Sequence, residues 1–518
     1  MPPQSTSGVP RRVPIPIPVP IRATPGAVRS HIDTARVEVG EPVVSRLRDA
    51  CEKVETPESS PAGIAEAGRD WWPLGMLWAL AGEVPSLPAV VARPSDAAQV
   101  SAVLEICNDA RIPVTPAAGR SGVCGSSVPL FGGVSLDLRG LSGITEVDSK
   151  SLLLRALPGT FGPDLEGELS TEHGLTLGHW PQSMALSTLG GWLACRSAGQ
   201  YSTRYGKIED MVHGLEVALA DGRRMTTGGA GPRSATGPDL TQVFVGSEGV
   251  LGVITAAWMR ARPVAPERRS AAFACSSFLE GLDVTRKILR RGATPAVLRL
   301  YDLAESERVF SVEGAAVLIA LDEAELEELG STMSVVSSEC EAAGATVLDD
   351  SLVDHWLSTR NDVSALGDLV TGGVVVDTVE IAGRWSVLAS MYTECIERLS
   401  RLEGIVACSA HESHAYGDGA CIYFTFAGVD VGGARGDAGW PEQFYLSAWQ
   451  VVMEVTLRHG GAVSHHHGIG LNRARFLEAG IDGSFAVLEA LKDALDPNGI
   501  LNPGKLGLRT PFGDVPWP

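Results

Sequence analysis

WPQSMALSTLGGWLACRSAGQYSTRYGKIEDMV, residues 180–212, is dense in Ser, Thr, Gly and other small residues, and Gly190 and Gly191 adjoin Trp192. Side chains this small let backbone come close to a planar ligand. Two further segments have the same character. PAAGRSGVCGSS, residues 116–127, carries three glycines after a strand-like IPVTP. Its backbone N–H groups can point into one concavity and hold a pyrophosphate with few side-chain charges. In VGSEGVLGVIT, residues 245–255, Gly246, Gly249 and Gly252 are separated by apolar β-formers. The first loop is not a GxGxxG fingerprint and no helix follows it directly, so a Rossmann unit fits poorly. Turn chemistry alone would explain each segment singly. Three of them, in order and within one unit, point to a ligand-binding half.

Outward from these loops the pattern alternates strand and helix. LPAVVARP reads as a short strand closed by Pro94, after which Ser95 is expected to cap a helix. Val100, Val103, Leu104 and Cys107 recur there at one-face helical spacing. IPVTP returns as a strand, and Val134, Leu136 and Leu138 alternate in the next. Beyond LLLRALPGT, Pro163 suits a first helical turn, with Asp164 and Glu166 near its N-terminus. Residues 265–440 differ: the acidic, helical DEAELEELGSTMSVVSSECEAAG precedes a strand-like TVLDD. From Trp440 a helix over FYLSAWQVVMEVTLRHGG leads to a polar turn, DPNGILNPGK. The expected divisions are a proline-rich disordered tail (1–30), a first unit (31–264), a second α+β unit (265–440) and a C-terminal segment (441–518).

With 518 residues, two or three units are expected. A formal net charge of -20 argues against nucleic acid or anionic membrane as a partner. An anionic ligand must be held by local arginines, lysines or backbone amides in a closed site. Nine cysteines without a CxxC pair suit reduced thiols. Alternating prolines in PRRVPIPIPVPIRATPG forbid the apolar helix of a secretion signal, and no apolar run would span a bilayer. The expectation is a cytoplasmic protein without stable membrane insertion.

SHHHGIG places His465, His466 and His467 in succession. If extended, His465 and His467 share one face. Proton transfer near neutral pH is the natural use of such residues; stacking or space-filling is the plainer one. A metal held by His465 and His467 ranks lower, since no carboxylate or cysteine partner sits nearby in sequence, and no metal is expected. HESHAYGDG supplies His411, His414 and Tyr416, as pocket residues or as an ordinary polar loop. By composition alone Tyr423 is a core aromatic in a strand.

The three loops together resemble the flavin-binding half of the vanillyl-alcohol-oxidase superfamily. STLGGWLACRSAGQYSTRYGKIEDMV, GSEGVLGVIT, VLRLYD, ACIYFTF, SHHHGIG and DPNGILNPGK narrow that likeness to the alkylglycerone-phosphate-synthase branch, in one order from about Leu87 to Lys505. The resemblance implies an α+β protein. A two-part FAD-binding domain of the p-cresol-methylhydroxylase type would be followed by an α+β cap domain on a central antiparallel sheet, and the C-terminal segment would close the site. It implies FAD as cofactor, a small-molecule substrate and, by analogy, a homodimer. Pro116, Gly119, Arg120, Ser121 and Gly122 would lie near the FAD phosphates. Gln182, Ser183, Ser187, Thr188, Arg196 and Ser197 would run along the cofactor, and Glu248, Gly249, Val253 and Ile254 would approach adenosine and ribose. The first loop has no histidine, so FAD is expected to be noncovalent, Cys124 being the residue there that leaves a doubt. Tyr423 matches the family's active-site tyrosine, and His465, His466 and His467 its histidine run.

One departure bears on the substrate. The synthases share an arginine in an LRD-like motif upstream of an ET-type strand. In SALGDLVTGGVVVDTVEIAGRW, residues 364–385, Gly367 takes its place, and Arg360 lies seven residues earlier. A bidentate partner for phosphate is thereby lost, with Arg299, Arg360 and Arg384 as candidate replacements. The first activity implied is therefore oxidation of a CH–OH group in an alcohol or 2-hydroxy acid. A histidine or Tyr423 would take the hydroxyl proton and FAD the hydride. The second is alkylglycerone-phosphate synthase chemistry, the exchange of an acyl group for a fatty alcohol. Gly367 and the lack of a basic amphipathic helix weigh against it. A flavin-holding module without activity would not need both Tyr423 and the histidine run.

Overall fold

In the computed structural model, residues 28–229, 231–430 and 439–517 are described. The tail expected over 1–30 lies outside them up to residue 27. Arg29 and Ser30 pair in parallel with Glu83 and Val84.

The first half is built on two sheets. A four-stranded sheet runs in the order Lys53–Glu55, Val90–Arg93, Val134–Asp137, Val114–Ala117. Its last three strands are parallel. The helix Ala97–Ala110 covers it with Val100, Val103, Leu104 and Cys107, all fully buried. Each such burial contributes on the order of 1.5–3 kcal/mol. This helix is capped by Asp96, whose carboxylate accepts from the N–H groups of Ala98 and Gln99, and not by Ser95. The alternation expected through Leu138 ends at Asp137, where a short 3-10 turn begins. Five antiparallel strands form the second sheet, in the order Arg224–Thr226, Val212–Ala218, Val253–Arg260, Leu153–Ala156, Ile144–Asp148.

The second half carries seven antiparallel strands in the order Thr346–Leu348, Glu267–Cys275, Ala316–Ala324, Val297–Tyr301, Ile405–Ala415, Gly419–Gly428, Val375–Arg384. The expected α+β class and central antiparallel sheet are what is found. The acidic helix is shorter than its charge pattern, spanning Leu326–Ala342, because Asp322 and Glu323 belong to the strand before it. Asp322 is fully buried and pairs with Arg204. The helix Trp440–Arg458 packs on the sheet's Val375–Arg384 edge. The C-terminal segment then returns to the first half, where Leu501 bridges Val114 and Lys505 donates to the carbonyl of Val128. Among the described residues, no helix is long and apolar enough to cross a membrane.

Candidate active site

The register of the large sheet assembles the reactive end. Tyr301 lies opposite His411, His411 opposite Tyr423, and Tyr423 opposite Glu380, one row across four strands. Directly opposed residues share a face. A register shift between Glu412 and His414 then interrupts alternation. Strict alternation would turn His414 away from His411; the irregularity brings both to one cavity.

That cavity has a volume of about 620 Å³ and is lined by all three glycine-rich loops together with His411, His414, Tyr423, His466 and His467. Every residue named above for the cofactor lines it except Arg196. The Arg196 side chain is half exposed and faces Glu209 at 3.6 Å. His465 and Tyr416 also stay off the lining. Cys124 is fully buried away from it, and its carbonyl accepts from the N–H groups of Leu471 and Asn472; Cys195 is the lining cysteine. Of the three arginines, Arg299 and Arg360 reach the cavity, whereas Arg384, at a strand end, and Gly367, within the helix Ser364–Thr371, do not.

The histidine run is a loop, not an extended strand. Glu380, fully buried, shapes it. Its carboxylate accepts the backbone N–H of His465 at 2.6 Å and of His467 at 2.9 Å, takes the Ser464 hydroxyl at 2.9 Å and pairs with Arg473 at 2.9 Å. Burial would raise this carboxyl, but Arg473, His467, His465 and those N–H donors hold it down, at about 2. Glu248 acts similarly one turn later, accepting from the N–H groups of Ile469 and Gly470 and tying the third glycine loop to the run. Asn502 donates to the carbonyls of Ser126 and Glu248, joining the first and third loops. None of Glu380, Arg473 or Asn502 stood out in the sequence. An acidic residue in an apolar strand was the available signal for Glu380.

Tyr423 places its hydroxyl 2.6 Å from His466 Nε2 and 3.3 Å from His467 Nε2. His466 Nδ1 lies 2.9 Å from His465 Nδ1. Burial keeps the phenol protonated. Burial, with the neighbouring histidines, pushes His466 far below its usual range, so the ring is neutral. Two proton placements satisfy the chain: Tyr423 donating to His466 and His466 to His465, or His465 donating to His466 and His466 to Tyr423, which leaves the phenol hydrogen free to donate into the cavity. An extended run would offer a metal His465 and His467. The structure instead brings ring nitrogens of His414, His465 and His466 within 4.8 Å of one another and, likewise, one ligand atom each of Glu380, Cys421 and His466, so a carboxylate and a thiol that are distant in sequence adjoin the run.

The lining fits FAD. Buried polar atoms of Thr188, Ser127, Gln200 and Arg120 on it have no partner among the described residues, the condition in which a polar ligand is needed. Gly119 shows how close the loops pass: a Cβ there would lie 2.3 Å from the Leu186 carbonyl oxygen. Gly119→Ala must displace one loop from the other. We expect this variant to purify without flavin; a yellow protein with a normal flavin-to-protein ratio would contradict that.

An FAD-binding domain model matches residues 88–228, and the model of the C-terminal domain of FAD-linked oxidases matches residues 264–506. The uncharacterized FAD-linked oxidoreductase YgcU of Escherichia coli O157:H7 is 31% identical over 440 residues, covering 81% of this chain and 89% of that one. The glycolate oxidase subunit GlcD of Bacillus subtilis is 28% identical over 439 residues, covering 81% and 89%. Alkyldihydroxyacetonephosphate synthase of Dictyostelium discoideum is 26% identical over 461 residues, covering 82% and 74%. A solved alkyldihydroxyacetonephosphate synthase superposes with a TM-score of 0.76 at 22% identity, covering 91% of this chain and 87% of that one.

Proposed function

This chain belongs to the FAD-linked oxidases, and from that premise we propose that it oxidises the CH–OH group of a 2-hydroxy acid. FAD is its cofactor and, when bound, supplies the acceptor for two electrons. In this reading residues 31–264 hold FAD, 265–440 cap the substrate and 441–518 close the site. Tyr423 and His467 hold the reacting oxygen, His466 and His465 fix the Tyr423 hydroxyl, and an imidazole takes the hydroxyl proton.

One observation carries the choice of an acid. Arg299 and Arg360 both line the cavity, packed on Tyr301, Trp356 and Tyr201, and neither has a salt-bridge partner among the described residues. Arg299 donates to the Tyr301 hydroxyl at 2.9 Å, and one Arg360 amino group has no hydrogen-bond partner among the described residues. Glu412 does not neutralise Arg299, because burial raises that carboxyl to about 8 and it is protonated at neutral pH. Two guanidinium groups on the lining without a salt bridge among the described residues, one of them near Glu323 and the Tyr201 hydroxyl, suit an anionic substrate group.

The test is reduction of the flavin by 2-hydroxy acids and by their methyl esters. The acids should react and the esters should not; equal reaction would overturn the arginine argument. Arg360→Met should raise KM for the acid about 10- to 100-fold with little change in kcat, the loss expected for a hydrogen bond to a charged group.

The synthase reading keeps one observation of its own. The cavity has an apolar wall, Trp71, Leu186, Leu366, Leu369 and Val376, suited to an alkyl chain. Turnover of acyl-dihydroxyacetone phosphate with a fatty alcohol would decide for it.

A further inference from the structure

We propose that His411, oriented by Glu305, is the general base that accepts the substrate's hydroxyl proton. The inference rests on the 2-hydroxy-acid reading and adds a catalytic residue to it. His411 Nδ1 lies 2.7 Å from Glu305 Oε2. Glu305 is almost fully buried and also accepts from the hydroxyls of Thr425 at 2.9 Å and Ser409 at 3.2 Å, with Arg308 at 2.9 Å. Held this way it stays ionised: burial would raise it, but His411 above all brings it to about 2. An ionised Glu305 keeps the imidazole hydrogen on Nδ1 and leaves the lone pair on Nε2. The ring is clamped flat between Tyr423, at 4.8 Å and 12°, and Tyr301, at 5.4 Å and 24°. It lines the same cavity as Arg299 and Arg360.

The other lining histidines are less suited. His466 has both ring nitrogens engaged, by Tyr423 and His465. His467 Nε2 faces Tyr423, and its Nδ1 lies 3.9 Å from Glu380, beyond hydrogen-bond reach. His414 is held by the Ser202 hydroxyl, which cannot stabilise an imidazolium as a carboxylate does. His411 alone among the described histidines on the lining combines a carboxylate on one nitrogen with no protein partner on the other.

In the step, the substrate O–H bond breaks and its proton passes to His411 Nε2. The oxygen's electron pair becomes the second carbon–oxygen bond, and the hydrogen on carbon departs with two electrons to FAD. The acid is oxidised to a 2-oxo acid, FAD is reduced, and the imidazolium is balanced by Glu305. Charged and titratable groups facing His411 are Glu305 and Arg308 from one helix, Arg299 and Tyr301 from the strand on one side, Tyr423 from the strand on the other and His414 on its own strand. Burial lowers His411, Glu305 raises it and the arginines lower it, so the ring starts neutral.

The experiment uses the FAD-loaded protein. His411→Gln should slow flavin reduction about 100-fold or more while changing KM only a few-fold, the loss typical of a missing base. Added imidazole should restore at least a tenth of the wild-type rate to His411→Ala. Glu305→Gln should lower the rate and shift its pH profile, and Glu305→Asp should recover part of it. A second readout needs no turnover. Oxalate binding, measured by calorimetry in buffers of different ionisation enthalpy, should draw roughly one proton into the wild type and none into His411→Gln. An unchanged reduction rate or unchanged proton uptake in His411→Gln overturns the proposal. So does an imidazole-insensitive loss accompanied by lost oxalate binding. If no 2-hydroxy acid reduces the wild type, the substrate reading itself has failed; if the wild type is reduced and His411→Gln equally so, only the dyad falls.

Discussion

Glu380→Ala should destabilise the protein by about 3–5 kcal/mol, the cost of leaving a buried ion unpaired. Arg473, fully buried, would lose its carboxylate, and the N–H groups of His465 and His467 their acceptor. Thermal unfolding of the flavin-loaded variant measures this; a loss below about 1 kcal/mol would show that the run is held by something else. The same pair predicts acid sensitivity. The Glu380 carboxyl is depressed from 4.5 to about 2 in the folded state, so its contribution is complete above pH 4.5 and is lost as pH falls toward 2. At about 1.36 kcal/mol per unit this contribution is on the order of 3 kcal/mol. In Glu380→Gln the corresponding part of the acid destabilisation should be absent.

Tyr423→Phe should slow flavin reduction about 100- to 1000-fold, the range found when one donor to the reacting oxygen is removed. Folding should survive, since the ring and its stacking on His411 remain. His466 would lose the partner 2.6 Å from its Nε2, freeing the tautomer of the His466–His465 pair. Single-turnover reduction separates the outcomes. A large fall in the limiting rate with binding unchanged fits Tyr423 at the chemistry. A rise in KM alone would make it a binding residue.

The parts of this site that were legible in the sequence are the ones that depend on local backbone. Gly119 and Gly249 mark close approach whatever lies opposite, and the helix after Pro94 is announced by the spacing of Val100, Val103, Leu104 and Cys107. Its cap is not, because Ser95 and Asp96 are both good caps and only geometry chooses. Glu380 and Glu305 were silent for another reason. Their partners lie 85 and 106 residues away in the chain, and a carboxylate that will be buried against an imidazole reads like one that will face water. His411 and His414 were noticed together, but their arrangement depends on a strand irregularity that periodicity cannot foresee. Arg196 stands off the lining, beside Glu209: a motif match carries over residue types and not side-chain directions. His465 and His467 would share a face only in an extended run; the backbone instead folds around Glu380 and hands His466 and His467 to the cavity.

The most direct measurement is the visible spectrum of the anaerobic, FAD-loaded protein, mixed in turn with a panel of 2-hydroxy acids and with acyl-dihydroxyacetone phosphate plus a fatty alcohol. Oxidation of a 2-hydroxy acid predicts that at least one acid bleaches the yellow flavin and leaves the matching 2-oxo acid in solution. A flavin that stays oxidised with every acid, in a protein that converts the lipid pair, would contradict it.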